Sequence, residues 1–156
     1  MLLSAKSDNI FIYLQFLYNT QNCLVPGEMK EFPKSGVGLG RHLIIEIYDC
    51  DPLVLDSINH IKGVLIDAAK ATNSTVLWHK FHKFSPQGVT GVVVVAESHL
   101  SIHTWPEYGY AAIDVFTCGS NTDPWKALEI LKGAFKPKRI SVLEIKRGLL
   151  AENEED

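Results

Sequence analysis

Four consecutive valines, Val92-Val93-Val94-Val95, constrain this chain more than any other feature. A β-branched run is stiff at χ1 and packs well on both faces of a pleated sheet, so residues 89–96 read as a central strand. The turn cluster Ser85-Pro86-Gln87-Gly88 marks its start and closes a preceding strand over 75–84. An interior strand needs neighbours, and the flanking sequence supplies them. Residues 42–48 alternate, with Leu43, Ile45 and Ile47 apolar, and residues 99–104 and 111–117 make two more strands around a turn at Pro106 and Gly109. Residues 139–146 make the last strand.

Two helices interrupt this β pattern. Asp51-Pro52 supplies an N-cap followed by proline at the first helical position. Leu55, Ile58, Ile61, Leu65, Ala68 and Ala69 then recur at helical spacing, predicting one helix that ends near Thr72. Asp123-Pro124 repeats the signal for a second helix through Ala127, Leu128, Leu131 and Phe135, stopped by Lys136-Pro137. The order β-α-β-β-β-β-α-β predicts an α+β two-layer sandwich: a mostly antiparallel sheet with two helices on one face. The helix-free face is then left for substrate contacts or a partner subunit.

At 156 residues and 17.4 kDa one compact domain is expected, and the pattern confines it to residues 36–150. Residues 1–35 fall outside the pattern, as an unstructured extension or the product of a misplaced start, with Met29 an alternative initiator. Residues 151–156, with four carboxylates from Glu152 to Asp156, read as a solvated acidic tail. The apolar stretch from Ile10 to Tyr18 is far short of the ~20 residues a membrane span needs. A formal charge of −3 argues against a nucleic-acid binder, which carries a basic stripe. Cys23, Cys50 and Cys118 are odd in number and widely spaced, which gives no disulfide framework and fits a reducing, cytoplasmic setting.

Chemistry concentrates directly after the valine strand. Residues 96–107, Ala-Glu-Ser-His-Leu-Ser-Ile-His-Thr-Trp-Pro-Glu, pack serines, histidines and carboxylates into twelve positions. Ser98 with His103 could suggest a hydrolase, yet no G-x-S-x-G elbow surrounds the serine. His79, His82 and His99 occupy strand positions that suit surface or network histidines, and no metal site is expected.

The stretch from Glu97 to Glu107, continuing through Tyr108-Gly109-Tyr110-Ala111-Ala112 to Phe116-Thr117-Cys118-Gly119, closely resembles the bacterial and archaeal S-adenosylmethionine decarboxylases. Gly40-Arg41-His42, Phe81-His82-Lys83-Phe84, Asp123-Pro124-Trp125-Lys126 and Arg147-Gly148 carry the same resemblance, so it spans about residues 39–148.

The resemblance implies a proenzyme that cuts itself between Glu97 and Ser98. Ser98 would attack the Glu97 carbonyl, turning amide into ester through an oxyoxazolidine. His103 would act as the processing base on the Ser98 α-proton; an ordinary imidazole pKa near 6.5 suits it to that task. Thr90 stands where the family commonly has an assisting serine, keeping the hydroxyl and adding a methyl. Ser98 would become a covalent pyruvoyl cofactor that forms a Schiff base with the substrate amine. Cys118 would return a proton to the substrate α-carbon.

Phe84 and Trp105 resemble the aromatic residues near adenine and sulfonium, where π-faces stack a purine and attract a cation. Glu107 resembles the carboxylate that holds the ribose hydroxyls. The two cleaved chains would stay paired, and that pair would form a homodimer with sites near the subunit interface. There Phe84, Trp105 and Glu107 would serve the neighbour's pyruvoyl.

The expected reaction is decarboxylation of S-adenosylmethionine to an aminopropyl donor for polyamine synthesis. The alternative is a relative that uses the same cofactor on arginine or ornithine, because Ser98, His103 and Cys118 require only an α-amino acid. Phe84, Trp105 and Glu107 favour the nucleoside. A non-catalytic partner subunit would have no need of Ser98, His103 and Cys118 together.

Overall fold

The computed structural model describes residues 10–11, 38–96 and 98–149. Glu97, the acidic tail and all of the 1–35 extension except Ile10 and Phe11 lie outside the described residues. Seven strands form one sheet in the order β1-β7-β2-β6-β5-β4-β3, where β1 is Ile10–Phe11, β2 Gly38–Tyr48, β3 Val76–Lys83, β4 Val89–Val95, β5 Ser98–Trp105, β6 Tyr110–Cys118 and β7 Arg139–Leu149. The last six are antiparallel throughout; β1 adds a two-residue parallel edge on β7. The valine run is β4, paired on both sides.

Where the spacing predicts one helix over 51–72, the chain makes two. Helix α1 covers Pro52–Leu55, its Asp51 cap accepting from the Leu53 amide, and α2 covers Ile58–Ala71. The break falls at Asp56 and Ser57, because Ser57 caps α2 by accepting from the His60 amide. One side chain and one backbone amide hold Asp56 there: its carboxylate accepts from Lys83 Nζ at 2.8 Å and from the Gly88 amide at 2.9 Å. Helix α3 spans Trp125–Phe135, one residue later than the cap signal predicts, with Asp123 accepting from the Trp125 amide at 3.2 Å. Lys136, in the left-handed region, ends it.

Alternation on the strands sorts the sheet into two faces. Leu43, Ile45, Ile47, Val93, Leu100, Ile102, Ile113 and Val115 are almost fully buried against Ile61, Leu65 and Ala68 of α2 and Leu128, Leu131 and Phe135 of α3. Burying each such aliphatic side chain is worth about 1.5–3 kcal/mol. At β3 the sheet packs so closely that a Cβ on Gly91 would stand 2.0 Å from the Phe81 ring. The opposite face has no helix over it among the described residues, and it bears His42, Glu46, Thr90, Ser101, His103, Trp105, Asp114 and Cys118, half-buried or exposed. No helix among the described residues is long and apolar enough to cross a membrane.

Candidate active site

Strand β5 carries most of the sequence-predicted residues, and its geometry divides them. Ser98 opens the strand and Trp105 ends it. At about 3.3 Å per residue, His103 stands about 16 Å and Trp105 about 23 Å along the strand from Ser98. Closeness in the motif therefore becomes separation in space. Two groups of side chains result, at opposite ends of the strand.

The first group surrounds Ser98. The β5–β6 register pairs His99 with Phe116, so one further step places Ser98 abreast of Thr117, with Cys118 next along β6. Ser98 Oγ lies 3.3 Å from His99 Nδ1, and the Ser98 side chain is half-buried. Cys118 pairs with Gly40 of β2 and is also half-buried. Its backbone carbonyl accepts from Thr122 Oγ1 at 3.1 Å, which ties the following loop to the strand end. Thr117 Oγ1 is buried and has no hydrogen-bond partner among the described residues. Cys50 differs from Cys118 in kind: burial pushes its thiol up to about 11, so it behaves as a small apolar side chain.

The second group gathers where the β3–β4 and β5–β6 turns meet. Thr90 Oγ1 and His103 Nδ1 are 2.8 Å apart on paired residues of β4 and β5. That hydrogen bond engages Nδ1 and leaves Nε2 as the ring nitrogen available for work on a proton. Trp105 stacks on Tyr110 at 5.2 Å, Tyr110 stacks on Tyr48 at 5.2 Å, and Arg139 lies over Tyr48 at 5.0 Å. The Tyr110 hydroxyl donates to Glu46, and burial, before that hydrogen bond, holds its pKa well above the usual phenol range. Phe84 is exposed and meets His82 edge-on at 4.9 Å. A Cβ on Gly88 would lie 3.9 Å from both Phe84 and Pro106, and Gln87 Nε2 donates to Glu107 at 3.0 Å. The two turns are thus packed side by side, and Phe84, Trp105 and Glu107 share one end of the sheet.

Between the groups runs a polar network without a role in the sequence reading. Asp114 accepts from Ser101 Oγ at 3.0 Å and faces His42 Nε2 at 3.1 Å, while Arg147 Nη1 donates to His42 Nδ1 at 3.2 Å. Arg147 also covers the Phe116 ring at 5.1 Å. The signal was present: Gly40-Arg41-His42 and Arg147-Gly148 are polar insertions at strand ends, and β2–β7 pairing sets His42 opposite Ile145. Among the described residues no three His, Cys, Asp or Glu side chains are placed to hold a metal ion.

Sequence and structure comparisons address the same domain. The family model described as S-adenosylmethionine decarboxylase matches residues 41–148. The S-adenosylmethionine decarboxylase proenzyme of Thermotoga petrophila is 57% identical over 110 residues, covering 70% of this chain and 85% of its own. That of Acetivibrio thermocellus is 52% identical over 114 residues, covering 73% and 92%. The crystal structure of the adenosylmethionine decarboxylase from Aquifex aeolicus superposes with a TM-score of 0.71 at 37% identity, over 76% of this chain and 98% of that one. With the helix-backed sheet, the Ser98 and Cys118 strand ends and the Thr90–His103 pair already in place, the match over residues 41–148 establishes that the chain belongs to the S-adenosylmethionine decarboxylase family.

Proposed function

We propose that this protein is a self-processing decarboxylase that releases carbon dioxide from S-adenosylmethionine, leaving decarboxylated S-adenosylmethionine as an aminopropyl donor for polyamine synthesis. The observation that carries this reading is the family match together with Ser98 and Cys118 at one end of adjoining strands. A ketone formed from Ser98 fits there: the residue heads a strand, is reachable from solvent, and has a thiol-bearing neighbour on β6. The pyruvoyl group supplies an electron-withdrawing carbonyl that accepts the charge freed when carbon dioxide departs.

The chain's own residues supply the proton movements and the binding. His103 Nε2 takes the α-proton of Ser98 during processing, its ring steadied by Thr90. The Cys118 thiol, on β6 beside the Ser98 end of β5, returns a proton to the substrate α-carbon. Phe84 and Trp105 offer flat apolar faces to adenine and the sulfonium, and Glu107 accepts from the ribose hydroxyls.

The separations along β5 support a site completed by a second copy of the chain. Within one protomer, His103 and Trp105 stand about 16 and about 23 Å from Ser98, too far for any side chain to bridge. A two-fold axis opposing the open faces, with the strands reversed, sets Ser98 and Cys118 of one protomer against Thr90, His103, Trp105, Phe84 and Glu107 of its partner. We therefore assign a homodimer of cleaved chain pairs, with each site built from both copies.

Carbon dioxide release from S-adenosylmethionine, arginine and ornithine under matched conditions tests the substrate. The largest kcat/KM is expected for S-adenosylmethionine. A larger value for either amino acid contradicts the assignment of the aromatic pair to a nucleoside.

A further inference from the structure

Self-processing takes two protons from Ser98, one from Oγ and one from Cα, and the proposed base for the second stands about 16 Å away on the same strand. We infer that His99 is the catalytic base for the first, acting within its own chain on the Ser98 hydroxyl. This rests on the self-processing reading above and deepens it.

Three observations support the assignment. His99 Nδ1 lies 3.3 Å from Ser98 Oγ and is the one basic nitrogen hydrogen-bonded to that hydroxyl among the described residues. With the hydroxyl as donor in this contact, Nδ1 presents its lone pair to the Oγ–H, the arrangement a base requires. The ring is also held in place: Phe116 meets it edge-on at 6.0 Å and 82°, and His42 at 6.5 Å and 70°. His42 is itself fixed from both sides, by Asp114 at 3.1 Å and Arg147 at 3.2 Å. The polar network across the open face thus acts through His42 to orient His99, which makes His42, Asp114 and Arg147 positioning residues.

The step balances without any co-reactant. The Oγ–H bond breaks and its proton passes to His99 Nδ1, while Oγ bonds to the Glu97 carbonyl carbon, whose π electrons move onto oxygen. The ring then collapses, the Glu97 carbon–nitrogen bond breaks, and the imidazolium returns the proton to the freed Ser98 nitrogen. Amide has become ester. His103 of the partner subunit acts only afterwards, at Cα.

The test uses the full chain in freshly synthesised form, in a His103→Ala background that stalls after ester formation. The readout is the rate at which a hydroxylamine-cleavable fraction appears. With His99 present that fraction accumulates. Adding His99→Ala should slow its appearance about 100-fold, the range general bases typically contribute, and free imidazole should restore part of the rate.

His99→Gln is the second variant, since its amide accepts the same hydrogen bond without taking a proton. It should be slow as well. Ester formation at the parental rate in His99→Gln overturns the inference even where His99→Ala is slow, because the contact would then only position the hydroxyl. If the parental His103→Ala chain forms no ester and the unmodified chain does not cleave, it is the self-processing reading that fails, an outcome distinct from a fast His99 variant.

Discussion

A methyl group at Gly40 would lie 2.8 Å from Cys118 Sγ, 2.7 Å from a Phe116 ring carbon and 2.9 Å from the Thr117 carbonyl oxygen. Contacts that short force a neighbour to move, and the thiol is the mobile one. Gly40 therefore sets where the proposed proton donor stands. Cys118→Ala should still cleave at residue 97 yet lose most decarboxylation, because the thiol acts only after the cofactor has formed. Gly40→Ala should show the same pattern in milder form, with kcat falling about 10- to 100-fold, since displacing a reacting group by about 1 Å has that scale of effect. Chain cleavage followed on gels, beside carbon dioxide release per pyruvoyl group, separates the two steps. Full decarboxylation in Cys118→Ala removes that residue from the mechanism, and full decarboxylation in Gly40→Ala removes Gly40 as the residue that positions it. The cysteine is a candidate from the sequence through its place in Phe116-Thr117-Cys118-Gly119. The dependence on Gly40 is not legible there, because the two residues are 78 positions apart and meet only through β2–β6 register.

At the scale of elements, the strands were read closely and the first helix was not. Leu55 and Ile58 keep helical spacing across the break, so periodicity alone runs α1 and α2 together. The informative signal was Ser57, a capping residue immediately before Ile58. The break has a purpose visible in the structure: Asp56, freed from the helix, pins the β3–β4 turn that carries Gln87 and sits beside Phe84. A second pin ties α3 to the sheet at the Cys118 end, where Glu144 accepts from Arg41 Nε at 2.5 Å and from Trp125 Nε1 at 2.7 Å. The Arg41 hydrogen bond, ahead of the Trp125 one, holds the Glu144 carboxyl below its usual range despite partial burial. Lys83, and then the Gly88 amide, hold Asp56 low in the same way. A lowered carboxyl pKa stabilises the fold above the unfolded value of about 4.3 for Glu, and that contribution is lost as pH falls through the folded value. Thermal melts from pH 6 down to pH 3 should thus show Tm falling more steeply for the unmodified chain than for Glu144→Gln. Parallel curves would mean that the Arg41–Glu144–Trp125 cluster is not linked to stability.

For the whole molecule, the motif from Glu97 to Glu107 carries the proposed chemistry and conceals part of its geometry. The resemblance assigns Phe84, Trp105 and Glu107 to the neighbour's pyruvoyl but makes no such division for His103, which the extended strand carries about 16 Å from Ser98. Multiplying the residue count by the strand rise would have exposed the division between Ser98 and His103. The division has a direct consequence for mixed assemblies. A chain with His103→Ala keeps its own Ser98, and a chain with Ser98→Ala keeps its own His103; neither can finish processing alone. Co-expressed, they form mixed dimers in which one of the two sites is complete, and there the His103→Ala chain should be cut. No cleavage in the co-expressed pair would place His103 in the same site as its own Ser98.

The central claim is that this chain cuts its own backbone before residue 98 and turns Ser98 into a ketone. Intact-mass analysis of the purified, fully incubated protein tests it most directly, with a carbonyl-specific hydrazine reagent added to a second sample. The expected result is two chains, residues 1–97 and residues 98–156, with the second blocked at its amino terminus and alone in gaining the mass of the hydrazone. A single full-length species, or a residue 98 chain that starts with an ordinary serine amine and ignores the reagent, would contradict the account.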